Sequence, residues 1–301
     1  MKIKTIRLML SWVGCALTGA ALITSCSNED ILQGSQETRS NVEDSITFSG
    51  ISLESAATRT IIYDHTKGGG ASVIWKETDN ILVKDNSGQW RQSATATFPI
   101  ASKKSNALFK LAGRYTGTTH DVVYTNKALK GSQPQVEIKN KQTQSAPNNF
   151  DHAGESGDCG IATATKMGND YKFTLEHKAS YICFIPRSSN AYVNRSKIIK
   201  IEISSEDNIA GVYNIATDGT LSLASGGSKT ITLTTGSGFD IDNTAADMSK
   251  NASYAVIAPG THNLRIRYWL RNTTDNPKGS IDGTVTKYVT LTFVPGSIHD
   301  I

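Results

Sequence analysis

Cysteine, histidine and helical periodicity are all scarce in this sequence, and each shortage closes off a class of function. The 301 residues hold four cysteines, namely Cys15, Cys26, Cys159 and Cys183, far too few for a disulfide framework. A Cys159–Cys183 bridge is one reading. The other is that Cys183 is a small core residue in a strand. The six histidines (His65, His120, His152, His177, His262 and His299) never fall within metal-ligand spacing of one another, and no H-E-x-x-H occurs. No metal and no cofactor is expected from such spacings. Gly154-Glu155-Ser156-Gly157 lacks the G-x-S-x-G spacing of a serine elbow, and the Gly68–Gly70 loop lacks the Lys-Ser/Thr of a phosphate loop. Glu206-Asp207 sits in a turn-like setting, and nothing selects a carboxylate pair. His177 lies on an apolar strand face with no nucleophile pattern beside it, as a core histidine with a hydrogen-bond partner would. The chain is not expected to be an enzyme.

The N-terminus is where the sequence says most. Lys2, Lys4 and Arg7 precede an uncharged apolar run from Leu8 to Ile23. That run is shorter than the ~20 residues a helix needs to cross a bilayer, so residues 1–25 are expected to be a signal peptide. It ends in Ile23-Thr24-Ser25-Cys26, which resembles the lipobox of bacterial lipoproteins and implies lipidation of Cys26. Ser27-Asn28-Glu29-Asp30 resembles the surface-export signal of Bacteroidetes lipoproteins, implying the outer face of the outer membrane. Without Lys2, Lys4 and Arg7 the formal charge falls from +4 to +1. A near-neutral body has no long-range field for nucleic acid, so no nucleic-acid partner is expected.

Residues 26–44 are polar and aperiodic and read as a tether. Beyond them the pattern is period two, the mark of half-buried strands. Strands are expected over 45–53, with Gly50 shifting the alternation as a bulge, and over 72–75, 81–84, 94–100, 107–111, 121–125 and 135–139. The clearest runs over 171–185, with Tyr171, Phe173, Leu175, His177, Ala179, Tyr181, Cys183 and Ile185 on one face. Further strands are expected over 197–204, 211–215, 229–234, 254–258, 263–270 and 287–294, with one short helix within 241–251. The expectation is an all-β protein of two sandwiches, 45–167 and 168–301, divided at the turn-like Met167-Gly168-Asn169-Asp170.

The order of these features resembles the fimbrillin family of Bacteroidales. It begins with the I-T-F-S strand behind the tether and Ala57-Thr58-Arg59-Thr60. Trp75 with Asp79 before Ile81-Leu82-Val83 comes next, then F-T-L-E-H-K-A-S at 173–180. I-E-I with Gly211-Val212-Tyr213 and T-L-T-F-V-P-G-S-I at 290–298 complete it. The resemblance implies two transthyretin-like β-sandwich domains in tandem. It also implies a role in surface pili, with other fimbrial subunits as partners joined by β-strand complementation and the outer membrane reached through lipid on Cys26. In such pilins an arginine-specific cut removes the first strand, and a neighbour's strand fills the groove. Arg59 matches that processing position. Arg39 is the other candidate, but it lies ahead of the strand, so a cut there would free the lipid and leave the groove closed. The chain stops at Ile301, whereas fimbrillin-like chains continue into a further donor strand. That departure suits either a short form or an anchor or accessory subunit.

A second function class is a surface glycan- or host-protein-binding lipoprotein that does not polymerise. Trp75, Trp90 and Trp269 would supply sugar-stacking faces. Trp269, beside Arg265, Arg267 and Arg271, would form a cation–π patch if exposed; packing under a loop is the blander reading. Asp44-Ser45-Ile46 resembles the Bacteroidetes O-glycosylation pattern, which marks Ser45.

Overall fold

The computed structural model describes residues 45–51, 61–63, 65–242, 244–272 and 281–301. The first half of the strand set is β1 (Ser45–Ile51), β2 (Ile61–Tyr63), β3 (Ser72–Ile74), β4 (Ile81–Lys84), β5 (Trp90–Gln92), β6 (Asn106–Ala112), β7 (Thr119–Tyr124), β8 (Gln135–Ile138), β9 (Lys141–Thr143), β10 (Gly160–Met167) and β11 (Asp170–Phe173). The second is β12 (Glu176–His177), β13 (Ser180–Phe184), β14 (Lys197–Ser204), β15 (Ala210–Ile215), β16 (Leu221–Ser228), β17 (Thr230–Asp240), β18 (Ser253–Ile257), β19 (Gly260–Asn272), β20 (Ile281–Phe293) and β21 (Ile298–Asp300). Three single-turn helices interrupt them: α1 (Ala153–Ser156), α2 (Ala191–Asn194) and α3 (Met248–Asn251). The fold is all-β, and α3 lies where the sequence predicts a short helix.

One sheet runs β5-β4-β7-β10-β11-β1-β6, with β12 beside β10. It curls until its edges nearly meet, and the 93–97 segment bridges the gap. Ala96 N–H donates to the Asp79 carbonyl on one side (2.8 Å), and Ala94 N–H to the Lys110 carbonyl on the other (2.8 Å). That double duty is why the predicted strand 94–100 is only a bridge, Thr97 to Leu108. The enclosed core is aromatic. The Trp75 indole is fully buried and meets Phe109, Tyr124 and Phe173 edge-on.

The other sheets are β20-β19-β14-β17-β9, β18-β13-β21 and β16-β15-β8, plus the β2–β3 hairpin. In β13 every residue is buried. Phe184 meets Tyr268 of β19 edge-on (6.1 Å), while Tyr181 of the opposite face meets Phe150 (5.7 Å). A strand sandwiched between layers loses its polar face, so the alternation predicted over 171–185 holds up to His177 and gives way to burial on both faces. The same run breaks into β11 and β12, which belong to the first sheet, and β13, which belongs to another.

Pairing also crosses the predicted division. Met167 pairs with Asp170, so Met167–Asp170 is the turn of the β10–β11 hairpin inside one sheet, with Gly168 at φ +68°. β8 and β9 precede that turn but pair with β15 and β17, which follow it. Leu82 of β4 and Val123 of β7 pack into the same core cluster as β13 and β18. The described residues all fall within one compact unit.

Candidate functional site

The first described strand is also the most telling. β1 lies inside its sheet, antiparallel to β6 along Ser45–Ile51 and parallel to β11 at Phe48–Gly50. It therefore satisfies backbone groups of two neighbours at once. Phe48 is fully buried between its register partners Phe109 and Tyr171. Its ring stacks on Tyr171 (centroids 4.7 Å, 9° between planes) and meets Tyr115 edge-on at 5.2 Å. Ser49 Oγ donates to Asn106 Oδ1 (3.0 Å).

Gly50 has a different reason from the predicted bulge. The register with β6 runs through it unbroken. A Cβ at Gly50 would stand 2.9 Å from both Phe173 Cζ and Trp75 Cζ2, and the Gly50 carbonyl accepts from Trp75 Nε1 (3.3 Å). The glycine lets the indole lie against the backbone. Removing β1 would expose the facing edges of β6 and β11 and an apolar floor of Phe109, Leu111, Tyr171 and Phe173. Such a slot is shaped for an extended strand.

Elsewhere, a buried strand edge is closed by side chains. β18 pairs with β13 on one side. On the other, Gln142 Nε2 donates to the Val256 carbonyl (2.8 Å) and Val256 N–H donates to Gln142 Oε1 (2.9 Å). Gln144 does the same with the Ala252 carbonyl (2.9 Å) and Tyr254 N–H (2.7 Å). Gln142 on β9 and Gln144 just beyond it are two residues apart, and their amides act as a surrogate strand.

Cys26, Arg39 and Arg59 lie outside the described residues. Ser45 is the exposed first residue of β1. Trp75 offers no face to a sugar, because the closed sheet buries it completely. Trp90 is half-buried, with Lys84 Nζ 5.8 Å from its ring centre. Trp269 is half-buried too. Its partner Lys200 on β14 lies over the ring at 3.9 Å, so the cation–π contact comes from a neighbouring strand and not from the three arginines. Of those, Arg265 contacts Glu202 (3.3 Å) and Arg271 grips Asp282 with two bonds (2.9 and 3.1 Å).

His177 Nδ1 lies 2.6 Å from Asp158 Oδ1, and Tyr181 Oη donates to the same carboxylate oxygen. Burial, with Asp158 beside it, pushes the Tyr181 hydroxyl well above its ordinary pKa. This cluster is sealed from solvent, its members 0–3% exposed. Cys159 and Cys183 are both buried free thiols. The fold also gathers residues that no local spacing could reveal. His65 of the β2–β3 loop, Cys183 of β13 and Asp300 of β21 bring one ligand atom each within 4.8 Å of one another. Among the described residues no helix is long and apolar enough to cross a membrane.

These features define an all-β sandwich protein whose candidate site is a strand-filled groove. No protein-family model matches the chain, and no curated protein matches it. Solved structures do. A candidate cell adhesion protein from Bacteroides ovatus aligns at 14% identity and a TM-score of 0.50, covering 86% of this chain and 92% of that one. One from Bacteroides uniformis aligns at 12% identity and a TM-score of 0.40, covering 83% and 98%. The Bacteroides ovatus structure shares the fold.

Proposed function

We propose that the chain is a fimbrillin-like cell-surface lipoprotein, a structural or anchor subunit of a pilus assembled by strand exchange and supporting adhesion. The observation that carries this reading is the placement of β1. A first strand seated between two others, with Phe48 at its centre, is a plug that holds a groove shut. Lipid on Cys26 would hold this capped precursor at the outer membrane, and a cut after Arg59 would release lipid and cap together. The fold shared with a candidate adhesion protein of Bacteroides ovatus is consistent with a surface role. Mass spectrometry of the surface-assembled chain tests the reading. A mature N-terminus at Thr60 is expected, and a chain still starting at lipidated Cys26 contradicts it.

A second reading rests on the cleft beside Trp90. Trp90, Gln133, Asn214, Thr217 and Ser222 line about 500 Å³ with an aromatic face and polar side chains, as a glycan site requires. A purified chain that stays monomeric after cleavage, and is retained on immobilised glycans, would favour this reading over the pilus.

A further inference from the structure

We propose that His65, Cys183 and Asp300 bind one zinc-class divalent cation, which staples β21 to β13 and to the β2–β3 loop. Cys183 and Asp300 are register partners across the parallel β13–β21 pair, and Tyr254 is the partner of Cys183 on the other side. One row across three strands thus presents hydroxyl, thiol and carboxylate, with the His65 imidazole beside it. Sulfur, nitrogen and oxygen donors together suit zinc rather than calcium or magnesium.

The hydrogen bonds show why a cation belongs there. Tyr254 Oη donates its proton to Asn148 Oδ1 (2.6 Å), so toward His65 Nδ1, at 3.2 Å, it acts as acceptor. That fixes the proton of the neutral ring on Nδ1 and leaves the Nε2 lone pair free, the arrangement found where a histidine binds a metal through Nε2. Nε2 then points at Asp300 Oδ1 across 3.5 Å, lone pair against lone pair. Both atoms are buried and make no hydrogen bond to each other, while the Cys183 thiol lies beside both the Asp300 carboxylate and the Tyr254 hydroxyl. The His65 side chain is 2% exposed and that of Asp300 9%. Asp300 Oδ2 is held separately by Gly68 N–H (2.6 Å), which aims Oδ1 inward.

The spacing fits. Two N or O ligands of one tetrahedral zinc stand about 3.3 Å apart, and a sulfur stands about 3.6 Å from either. The His65–Asp300 pair is already at that separation. Binding would expel the Cys183 thiol proton to solvent as the thiolate coordinates. Three protein ligands leave a fourth position for water.

Cobalt serves as the probe. The full chain is stripped with a chelator and titrated with Co²⁺, then with Zn²⁺. The expected result is a sulfur-to-cobalt charge-transfer absorption that saturates at one ion per chain, disappears on adding Zn²⁺, and is lost in Cys183→Ser and His65→Gln. No such absorption in the native chain overturns the proposal, and so does one that survives in folded Cys183→Ser. If either variant fails to fold, X-ray absorption on the native Zn²⁺ form decides: one sulfur with imidazole scattering upholds the site, and an all-oxygen shell rejects it. None of these readouts depends on β1 or on cleavage at Arg59.

Discussion

Phe48 lies flat on Tyr171, ring centres 4.7 Å apart, and so ties the first strand to the strand that runs parallel to it. The stack is buried completely. Truncating the ring removes it and leaves a cavity. Phe48→Ala should cost about 3–5 kcal/mol in urea unfolding of the uncut chain. A loss below about 1 kcal/mol would mean that β1 is only loosely held.

Gly50→Ala tests close approach against a bulge. A methyl group placed 2.9 Å from Phe173 and Trp75 must push rings that are already packed. A destabilisation of about 1–3 kcal/mol is expected, with a changed Trp fluorescence spectrum. An unchanged midpoint would return Gly50 to the role of a bulge.

Gln142→Leu removes the amide that pairs with Val256 and strands a buried N–H and a buried carbonyl. About 2–3 kcal/mol of stability should be lost, because desolvated backbone groups left unpaired are costly. Hydrogen exchange at Val256 should accelerate, while β19 and β20 keep their protection. Equal acceleration throughout would show that the edge clamp is not local.

His152 gives the fold an acid-sensitive point. Burial lowers its pKa to about 4, against smaller opposing effects from the Tyr254 carbonyl and Asp151. A depressed pKa means that folding favours the neutral ring. Its contribution is therefore complete above about pH 6.5 and declines as pH falls toward 4. The full difference is on the order of 3 kcal/mol. His152→Gln should flatten the midpoint-against-pH curve between those limits. An unaltered curve would place the acid sensitivity elsewhere.

The sequence exposes strands wherever one face is apolar and the other polar. β4 and β14 fall at their predicted bounds, and the buried residues up to His177 follow the predicted alternation. β10 escapes notice because Gly160-Ile161-Ala162-Thr163-Ala164 offers small side chains and little contrast. β16 escapes because Leu221–Ser228 is mostly exposed, with glycines at 226 and 227. β5, β9 and β21 are three residues each, too short to show a period. Pairing of β8 with β15 and of β9 with β17 is set by the shared core, which no local pattern encodes. The apolar strand β1 behind a polar tether is legible in the sequence. The meeting of His65, Cys183 and Asp300 is not, since those residues come from three distant stretches of chain.

The central claim is that β1 must leave its groove before subunits can join. Thr47 and Lys110 face each other across β1 and β6, at a separation typical of strand partners and within disulfide reach. Thr47→Cys with Lys110→Cys should lock the strand in place when oxidised. The measurement is the size distribution after treatment with an arginine-specific protease, with and without reductant. The account predicts monomers when the lock is closed and strand-linked oligomers once it is reduced. Oligomers of equal abundance in both states, or none in either, would contradict it.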